Sequence, residues 1–339
     1  MVDYRGGAYF YSGSELAMTF SRLGILTSGG DAPGMNCAIR AVVRTANTRG
    51  LEVMGIRRGY QGLVEDDLYS MDRSSVSGII MRGGTVLKTA RCKEFRTPEG
   101  RERAYATMRK YNLGGLVVIG GDGSFRGSLD IVKETDFQVI GIPGSIDNDI
   151  AGSDYSIGFD TAVMNALVDI DKVRDTAESH GRIFVVEVMG RECGFLAAHV
   201  AVAAGAEDVL IPEIKPDLDQ VVERLKRGIE RGKHSYIIVV AEGAARSYDV
   251  ASFITEKTGR ETRVVVLGHV QRGGSPTATD RLKASRMGEL AVEALLAGQS
   301  GKMIASDGDR LVLKPLSGSA ETDLALFQEL VKLVETLGS

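Results

Sequence analysis

Glycine and aspartate occur together in three segments that each follow a run of apolar residues. These segments are TSGGDAPGMN at 27–36, IGGDGS at 119–124 and GIPGSIDND at 141–149. Glycine lets backbone N–H groups approach an anion, and the amino end of a following helix favours negative charge. A Gly-rich connection can also be a simple tight turn. The pattern therefore indicates phosphate chemistry and leaves a purely structural turn as the alternative.

The acidic residues within these segments suit phosphoryl transfer. Asp122 could hold Mg²⁺ on a polyphosphate, because magnesium prefers one or two carboxylates together with phosphate oxygens. Its alternative role is to cap a helix beginning near Ser124. Two carboxylates and an amide lie at one strand tip, in Asp147, Asn148 and Asp149. Negative charge concentrated in this way is costly unless a metal, a cation or a substrate proton compensates it. A polar loop with Asx turns is the alternative for this segment.

Short apolar runs alternate with amphipathic stretches along the chain, which predicts repeated βα units. Strands are predicted at 23–26, 52–56, 116–119, 139–142, 183–188, 208–211, 236–241 and 264–267. Helices are predicted at 36–48, 159–177, 218–229 and 279–296. The fold class is α/β, with two lobes, each a mostly parallel sheet flanked by helices. Ligands bind at the carboxyl ends of strands in such sheets, and the three Gly-rich segments follow those ends.

Composition excludes several other classes. The hydrophobic fraction is 43%, the charged fraction is 25% and the net charge is −4, so no overall positive field attracts nucleic acid or membrane. Three scattered cysteines favour a reducing, cytoplasmic location over a disulfide framework. Residues 1–20 contain no apolar signal segment and are expected to form a tail.

Five motifs follow one another in the order found in 6-phosphofructokinases, which this sequence resembles from about residue 23 to about residue 298. They are GILTSGGDAPGMN, GGDGS, PGSIDND, VEVMGRECG at 186–194 and LGHVQRGG at 267–274. The resemblance implies an ATP-binding lobe at 21–157 plus 270–318. It also implies a sugar-phosphate-binding lobe at 158–269 plus 319–339. The implied reaction transfers the γ-phosphoryl group of ATP to the 1-hydroxyl of fructose 6-phosphate, with Mg²⁺ as cofactor.

The resemblance assigns the reacting groups. Asp147 matches the catalytic base, Arg191 the cation that stabilises the transferring group, and Asp149 a second carboxylate that assists the metal. An aspartate with an ordinary pKa of about 3.9 is a weak base at neutral pH, which is tolerable because alignment and charge stabilisation dominate this chemistry. The nucleotide positions are Gly30, Arg91, Cys92, Asp122, Gly123 and Ser124, with Asp122 as the metal ligand.

The remaining ligand positions form two groups. The implied sugar-phosphate residues are Ser145, Asp147, Arg182, Met189, Gly190, Arg191, Glu242, Arg263, His269 and Arg272. In this family the residues matching Arg182 and Arg263 come from a neighbouring subunit, so a homotetramer with shared sites is expected. A second group matches the effector site of bacterial members, and comprises Arg40, Arg44, Arg73, Arg174, Glu207, Arg231 and Lys233.

Some positions depart from the family pattern. Ser145 stands where Thr is frequent, and Cys92 stands where an aromatic residue is frequent. Ser74 and Ser235 replace a frequent Tyr and a frequent His in the effector region, which leaves the effector's identity open.

Two other functions remain as alternatives. Pyrophosphate-dependent relatives carry Asp at the position of Gly123 and Lys at that of Gly144, and the two glycines here favour ATP. A non-catalytic regulatory homologue would have lost acidic residues that this sequence keeps.

Overall fold

The computed structural model describes residues 20–316 and 324–338. These residues form two compact units. Their described parts are 20–145, 150–158 and 274–316 in the first unit, and 146–149, 159–273 and 324–338 in the second. The lobes predicted from the sequence differ from these units at 146–149 and 270–273, which the prediction places in the first lobe, and at 158, which it places in the second. Contacts within the second unit include the ion pair of Asp147 with Arg191 and the hydrogen bond from the backbone of Met189 to Gln271.

The first unit is built on a seven-stranded sheet of order β11-β10-β5-β4-β1-β2-β3. Its strands are β1 (Arg22–Ser28), β2 (Glu52–Ile56), β3 (Leu68–Met71), β4 (Gly115–Gly120), β5 (Gln138–Pro143), β10 (Lys302–Asp307) and β11 (Arg310–Pro315). The central strands are parallel, whereas β3 pairs antiparallel with β2 and β11 antiparallel with β10. Every residue of β4 is buried, as expected for a parallel strand covered on both faces.

The helices of the first unit are α1 (Met35–Thr48), α2 (Tyr60–Val64), α3 (Pro98–Lys110), α4 (Asp122–Glu134) and α9 (Ala278–Leu296). A 3₁₀ helix covers Glu94–Arg96. Helices α1 and α9 pack closely at Gly288, where an added Cβ would lie 2.7 Å from the carbonyl oxygen of Ala38. Gly288 is therefore required by the approach of the two helices.

The second unit contains a four-stranded parallel sheet of order β7-β8-β6-β9. Its strands are β6 (Ile183–Val188), β7 (Asp208–Leu210), β8 (Tyr236–Ala241) and β9 (Thr262–Val266). Its helices are α5 (Phe159–His180), α6 (Phe195–Ala204), α7 (Leu218–Glu230), α8 (Ser247–Thr258) and α10 (Leu324–Gly338), with a 3₁₀ helix at Gly268–Arg272. Apolar residues of α7 and α8 pack against alternate residues of β6 and β8 on one face of the sheet.

The predicted α/β class and parallel sheets are confirmed, and all eight predicted strands are present to within a few residues. The sequence prediction missed β3 and the β10–β11 hairpin. Strands β3 and β11 are antiparallel strands at the sheet margins with few buried residues, and the buried apolar run of β10 is only three residues long, at 303–305. Within the described residues, no helix has the length and apolar character needed to cross a membrane.

Candidate active site

The three Gly-rich turns of the first unit lie together at one edge of its sheet. Strands β1, β4 and β5 are neighbours in parallel register, with Ser28 opposite Gly120 and Gly120 opposite Pro143. An added Cβ on Gly120 would lie 2.4 Å from the carbonyl oxygen of Ser28. The backbone of Gly144 donates a hydrogen bond to the carbonyl of Gly120 at 3.0 Å. The backbones of the three turns are therefore close to one another at the carboxyl ends of these strands.

The segment with Arg91 and Cys92 is joined to this edge by the side chain of Thr89. The hydroxyl of Thr89 donates a 2.6 Å hydrogen bond to the carbonyl of Gly29, which has a left-handed φ of +88°. Arg91 is exposed, whereas Cys92 is half-buried and packs against the core around Phe95. Burial raises the pKa of the Cys92 thiol, so this residue is an apolar contact rather than a reactive group.

Asp122 is the first residue of α4, and the capping position is taken by Gly121. The helix-cap alternative for Asp122 is therefore wrong. Its side chain is 34% exposed and forms an ion pair of 3.7 Å with Arg126. Ser124 is buried beside it, and its carbonyl accepts a hydrogen bond from Tyr60.

The surroundings of Asp122 fit a metal that is bound mainly through phosphate. A Cβ added to Gly123 would meet nothing within 4 Å, so there is room beside the carboxylate for a ligand. Among the described residues, no group of three His, Cys, Asp or Glu side chains could enclose a metal ion. Magnesium at nucleotide sites uses one or two carboxylates plus phosphate oxygens, which agrees with a single carboxylate here.

The second unit contains the carboxylates predicted to react. Asp147 is only 1% exposed, and one carboxylate oxygen lies 3.5 Å from Nε of Arg191. Burial, and after it the nearby charge of Asp149, raise the pKa of Asp147 to about 6. Arg272 and Arg191 oppose this increase but do not cancel it. Asp147 is therefore a stronger base than the ordinary aspartate assumed from the sequence, because its burial could not be read there.

Arg191 lies in a constrained loop directly after β6. Gly190 has a φ of +138° and Arg191 a φ of +53°, in the left-handed region that non-glycine residues rarely adopt. The backbone N–H of Arg191 donates to Oε1 of Glu242 at 2.8 Å. A Cβ added to Gly243 would lie 2.0 Å from the carbonyl oxygen of Arg191. The conformation of the loop is thus imposed by its neighbours.

The 3₁₀ helix after β9 lies against the same loop. It presents His269, which is exposed, and Arg272, which is half-buried. Between them, Gln271 is fully buried and its Oε1 accepts a 2.9 Å hydrogen bond from the backbone N–H of Met189. The structure therefore brings Asp147, Arg191, Glu242 and Arg272 together within the second unit.

Arg182 and Arg263 lie at the other edge of this sheet. Arg182 precedes β6 and Arg263 is near the start of β9, whereas Arg191 and Arg272 follow the carboxyl ends of those strands. A six-residue strand is about 20 Å long. Both arginines pair with Glu261, with 2.7 Å between Nε of Arg182 and that carboxylate. Both arginines are therefore about one strand length away from Arg191 and Arg272 of the same chain.

The predicted effector cations form one group in each unit. In the first unit, proximity of Arg40 is the main cause that lowers the pKa of Arg44, with smaller effects of desolvation and Arg73. Nε of Arg44 is buried and has no hydrogen-bond acceptor among the described residues. The hydroxyl of Ser74 donates to Asp72 at 2.7 Å.

In the second unit, Glu207 is the centre of the other group. Lys233 pairs with Glu207 at 2.9 Å, and Arg174 lies 3.8 Å from it. Arg174 also donates to the carbonyl of Ala204 at 2.7 Å. Arg231 is exposed at the end of α7, and Ser235 is half-buried.

Ser145, one of the predicted sugar-site residues, belongs to the first unit, and its carbonyl accepts a hydrogen bond from the hydroxyl of Ser156.

Two residues beside the site, Gln271 and Gly243, were missed by sequence reasoning, as was Glu261 at the other edge of the sheet. Gln271 lies inside the LGHVQRGG motif, Gly243 follows Glu242 directly, and Glu261 lies two positions before Arg263. Their position within those motifs was the available signal. Nothing in the sequence indicated that Gln271 contacts Met189, which is 82 positions away.

Comparison with known proteins agrees with this fold and site. The sequence model of the Phosphofructokinase family matches residues 22–295. The ATP-dependent 6-phosphofructokinase of Halothermothrix orenii is 54% identical over 329 residues, which cover 93% of this chain and 99% of that protein. The chain belongs to the phosphofructokinase family, which confirms the resemblance predicted from its five motifs.

Solved structures extend the comparison. A phosphofructokinase structure from Saccharomyces cerevisiae superposes with a TM-score of 0.81 at 35% identity, and covers 94% of this chain. This chain spans 47% of that yeast chain. A pyrophosphate-dependent phosphofructokinase from Nitrosospira multiformis has a TM-score of 0.80 at 22% identity, covering 93% of this chain and 92% of its own. At that identity the likeness establishes the fold only.

Proposed function

We propose that this protein transfers the γ-phosphoryl group of ATP to the 1-hydroxyl of fructose 6-phosphate. The observation that carries the proposal is the buried carboxylate of Asp147 beside Arg191, in a chain 54% identical to an ATP-dependent 6-phosphofructokinase. The products are fructose 1,6-bisphosphate and ADP.

Asp147 is the general base of the reaction. With a pKa of about 6 it is largely ionised at pH 7, and it is still basic enough to accept the proton of the attacking hydroxyl. A base whose pKa lies near the working pH combines a large reactive fraction with a useful driving force. The raised pKa therefore suits Asp147 better to this role than an exposed aspartate would be.

Arg191 stabilises the group in transfer. Its guanidinium is exposed except for its contact with Asp147, so its other N–H groups can donate to equatorial phosphoryl oxygens. Met189, Gly190 and Glu242 line the same loop and orient the sugar. His269 and Arg272, at the next strand end, bind the 6-phosphate through charge-assisted hydrogen bonds.

The first unit binds the nucleotide. Gly30, Gly123 and Ser124 present backbone groups to the phosphates, and Arg91 and Cys92 lie on the segment beside them. Asp122 would hold Mg²⁺, which neutralises phosphate charge when it is bound. Asp149 is a second carboxylate that assists the metal, and Ser145 contributes to the sugar site.

ATP is favoured over pyrophosphate as the donor. The space around Gly123 accepts a side chain without contact, and this chain has none there. The name of the Halothermothrix relative specifies ATP, which supports the same choice. A purely regulatory role is disfavoured because Asp122, Asp147, Asp149 and Arg191 are all retained.

The active assembly is a homotetramer in which neighbouring chains complete each sugar site. Arg182 and Arg263 are separated by a strand length from Arg272 of their own chain, so they serve a site in another subunit. Strand β9 is an edge strand, and Val266 and Val270 near it are exposed apolar residues, as is typical of an interface.

The family resemblance also supports proposals about the regulation of the protein and its location in the cell. The cations around Arg44 and those around Glu207 bind an anionic effector, because clustered positive charge favours a phosphate ligand. A cytoplasmic location belongs to the same proposal and is supported by the three cysteines, which are all free thiols.

One coupled assay tests the activity. Fructose 6-phosphate and Mg²⁺ are supplied with either ATP or pyrophosphate, and formation of the bisphosphate is followed. Turnover with ATP is expected. A faster rate with pyrophosphate would overturn the donor assignment, and no turnover with either donor would favour the regulatory alternative.

A further inference from the structure

We infer that Gln271 is a positioning residue for phosphoryl transfer, which holds the loop of Arg191 in its reactive conformation. The inference rests on the proposed function, because it requires Arg191 to act on the transferring group. Gln271 lies between the two cationic residues of the 3₁₀ helix but points inward and is fully buried. It therefore cannot act as a surface ligand like His269.

The side chain of Gln271 joins two segments that are distant in the sequence. Its Oε1 accepts the backbone N–H of Met189 at 2.9 Å, two residues before Arg191. On the other side of the 3₁₀ helix, the amide of Asn165 on α5 donates to the carbonyl of Gln271 at 3.3 Å and to that of Gly273 at 2.9 Å. The helix that carries Arg272 is thus fixed to α5 and, through Gln271, to the Arg191 loop.

The loop needs such support because its conformation is locally unfavourable. Arg191 has a φ of +53°, and strained residues of this kind persist only where the surroundings determine them. Three contacts do so here. Gln271 fixes Met189, Glu242 accepts from the N–H of Arg191, and Gly243 leaves space for the carbonyl of Arg191.

The amide at this position satisfies one buried group and leaves another without a partner. Nε2 of Gln271 is buried and has no acceptor among the described residues. A buried donor without a partner is costly, so a methionine of similar size would avoid that penalty. What methionine could not provide is the acceptor for Met189. The amide of Gln271 thus orients the loop through Met189, although its own Nε2 group stays buried without an acceptor.

The test measures kcat and KM for Gln271→Met in the wild-type and the Arg191→Ala backgrounds. In the wild-type background, kcat should fall about 10- to 100-fold, because a shift of an ångström at a reacting group has effects of this size. KM for fructose 6-phosphate should stay within about threefold, since uniform ground-state binding is retained. In the Arg191→Ala background, Gln271→Met should have little further effect, because residues that act as a unit are not additive.

Two more variants keep the test decisive. Gly243→Ala pushes on the carbonyl of Arg191 from the other side and should give the same kcat loss and the same non-additivity. Gln271→Glu retains an oxygen acceptor for Met189 and should recover part of the lost rate. Val222→Ala, a truncation in the core beneath α7, is the control, and should lower thermal stability without lowering kcat.

The outcomes separate this inference from the proposed function. If Arg191→Ala keeps the wild-type kcat, the role of Arg191 fails and the positioning role of Gln271 fails with it. If Arg191→Ala is impaired but Gln271→Met is fully active, only the positioning role is wrong. Equal rate losses for Gln271→Met in both backgrounds would also overturn it, because that is the behaviour of a structural residue.

Discussion

The pKa of Asp147 governs the first prediction at the residue scale. Its deprotonated form is the base, so the rate should rise with pH and level off above an apparent pKa of about 6. Below that value kcat/KM should fall tenfold per pH unit. Asp147→Asn should lower kcat by about 10²- to 10⁴-fold and remove the acid limb of the remaining activity. Steady-state kinetics from pH 5 to pH 8 measure both effects.

A second substitution identifies the titrating group. Sugar phosphates also titrate near pH 6, so the acid limb alone is ambiguous. The charge of Asp149 contributes to the raised pKa of Asp147, and Asp149→Asn should therefore move the limb to lower pH. The pKa of a substrate does not follow a protein variant. A limb that stays in place would assign the titration to the substrate or to another group.

The second prediction at the residue scale concerns substitution of Gly123 and its effect on the KM for ATP. Because a Cβ there would meet nothing within 4 Å, Gly123→Asp should fold normally. Its carboxylate would face the nucleotide phosphates and should raise KM for ATP by about 10-fold or more. Gly123→Asn has nearly the same shape without the charge and is the matched control. If both variants raise KM equally, bulk rather than charge discriminates the donor.

At the element scale, one arginine connects helix α10 to α7 through an ion pair. Arg224 of α7 pairs with Asp208 at 2.7 Å and with Glu335 of α10 at 3.0 Å. Burial raises the pKa of Asp208 to about 6, so Arg224 lies beside a carboxyl group that ionises reluctantly. Glu335 therefore supplies a large part of the negative charge that Arg224 needs near pH 6.

Removing that charge should loosen α10. Glu335→Gln should speed amide hydrogen exchange in residues 324–338 while changing the global free energy of unfolding by less than about 1 kcal/mol, because the pair is partly exposed. Glu329→Gln alters an exposed glutamate of the same helix and should leave exchange unchanged. Equal exchange in the two variants would mean that apolar packing alone holds the helix.

Subunit complementation is the prediction at the scale of the whole molecule. In the proposed homotetramer, Asp147→Asn and Arg263→Ala would each damage every site. If Arg263 serves a neighbouring chain, random mixing should restore roughly a quarter of the sites. Rates at low fructose 6-phosphate, measured after reversible dissociation and remixing of the two variants, quantify the recovery.

The internal control uses two residues that contact each other within one chain. Arg191 lies 3.5 Å from Asp147 of the same chain, so mixing Asp147→Asn with Arg191→Ala should restore nothing. Recovery in this control would show that subunit mixing does not report shared sites. Failure of the Arg263→Ala mixture, despite proven hybrids, would mean that each site is built within one chain.

Effector binding is the last prediction at this scale. Saturation by fructose 6-phosphate should shift when phosphoenolpyruvate or ADP is added, with a coupling free energy of about 1–3 kcal/mol. Arg44→Ala should abolish the shift, because Arg44 is crowded by Arg40 and Arg73 and an anion would relieve their repulsion. ADP should bind less tightly than in relatives with an aromatic residue at position 74, by about 1–3 kcal/mol. No shift with either ligand would leave the cluster without a regulatory role.

The sequence by itself determined the family, the α/β class and most of the strand ends that carry the site. Buried parallel strands, glycine turns and acidic tips are local patterns, so a few adjacent residues identify each of them. The Asp147 segment and the Met189–Arg191 loop were found in this way. The strands at the margins of the first sheet were not found from the sequence. An antiparallel strand such as β3 is defined by its pairing with a neighbouring strand and has no distinctive run of apolar residues.

Only the tertiary structure decided how these pieces act on one another. The raised pKa of Asp147 comes from burial and from the charges of Asp149 and of Glu242, which is 95 positions away. The separation of Arg182 and Arg263 from Arg272 requires the direction of β6 and β9 in the sheet. The bond between Gln271 and Met189 joins residues 82 positions apart. Dielectric surroundings and long-range contacts belong to the folded chain, so no local pattern of residues encodes them.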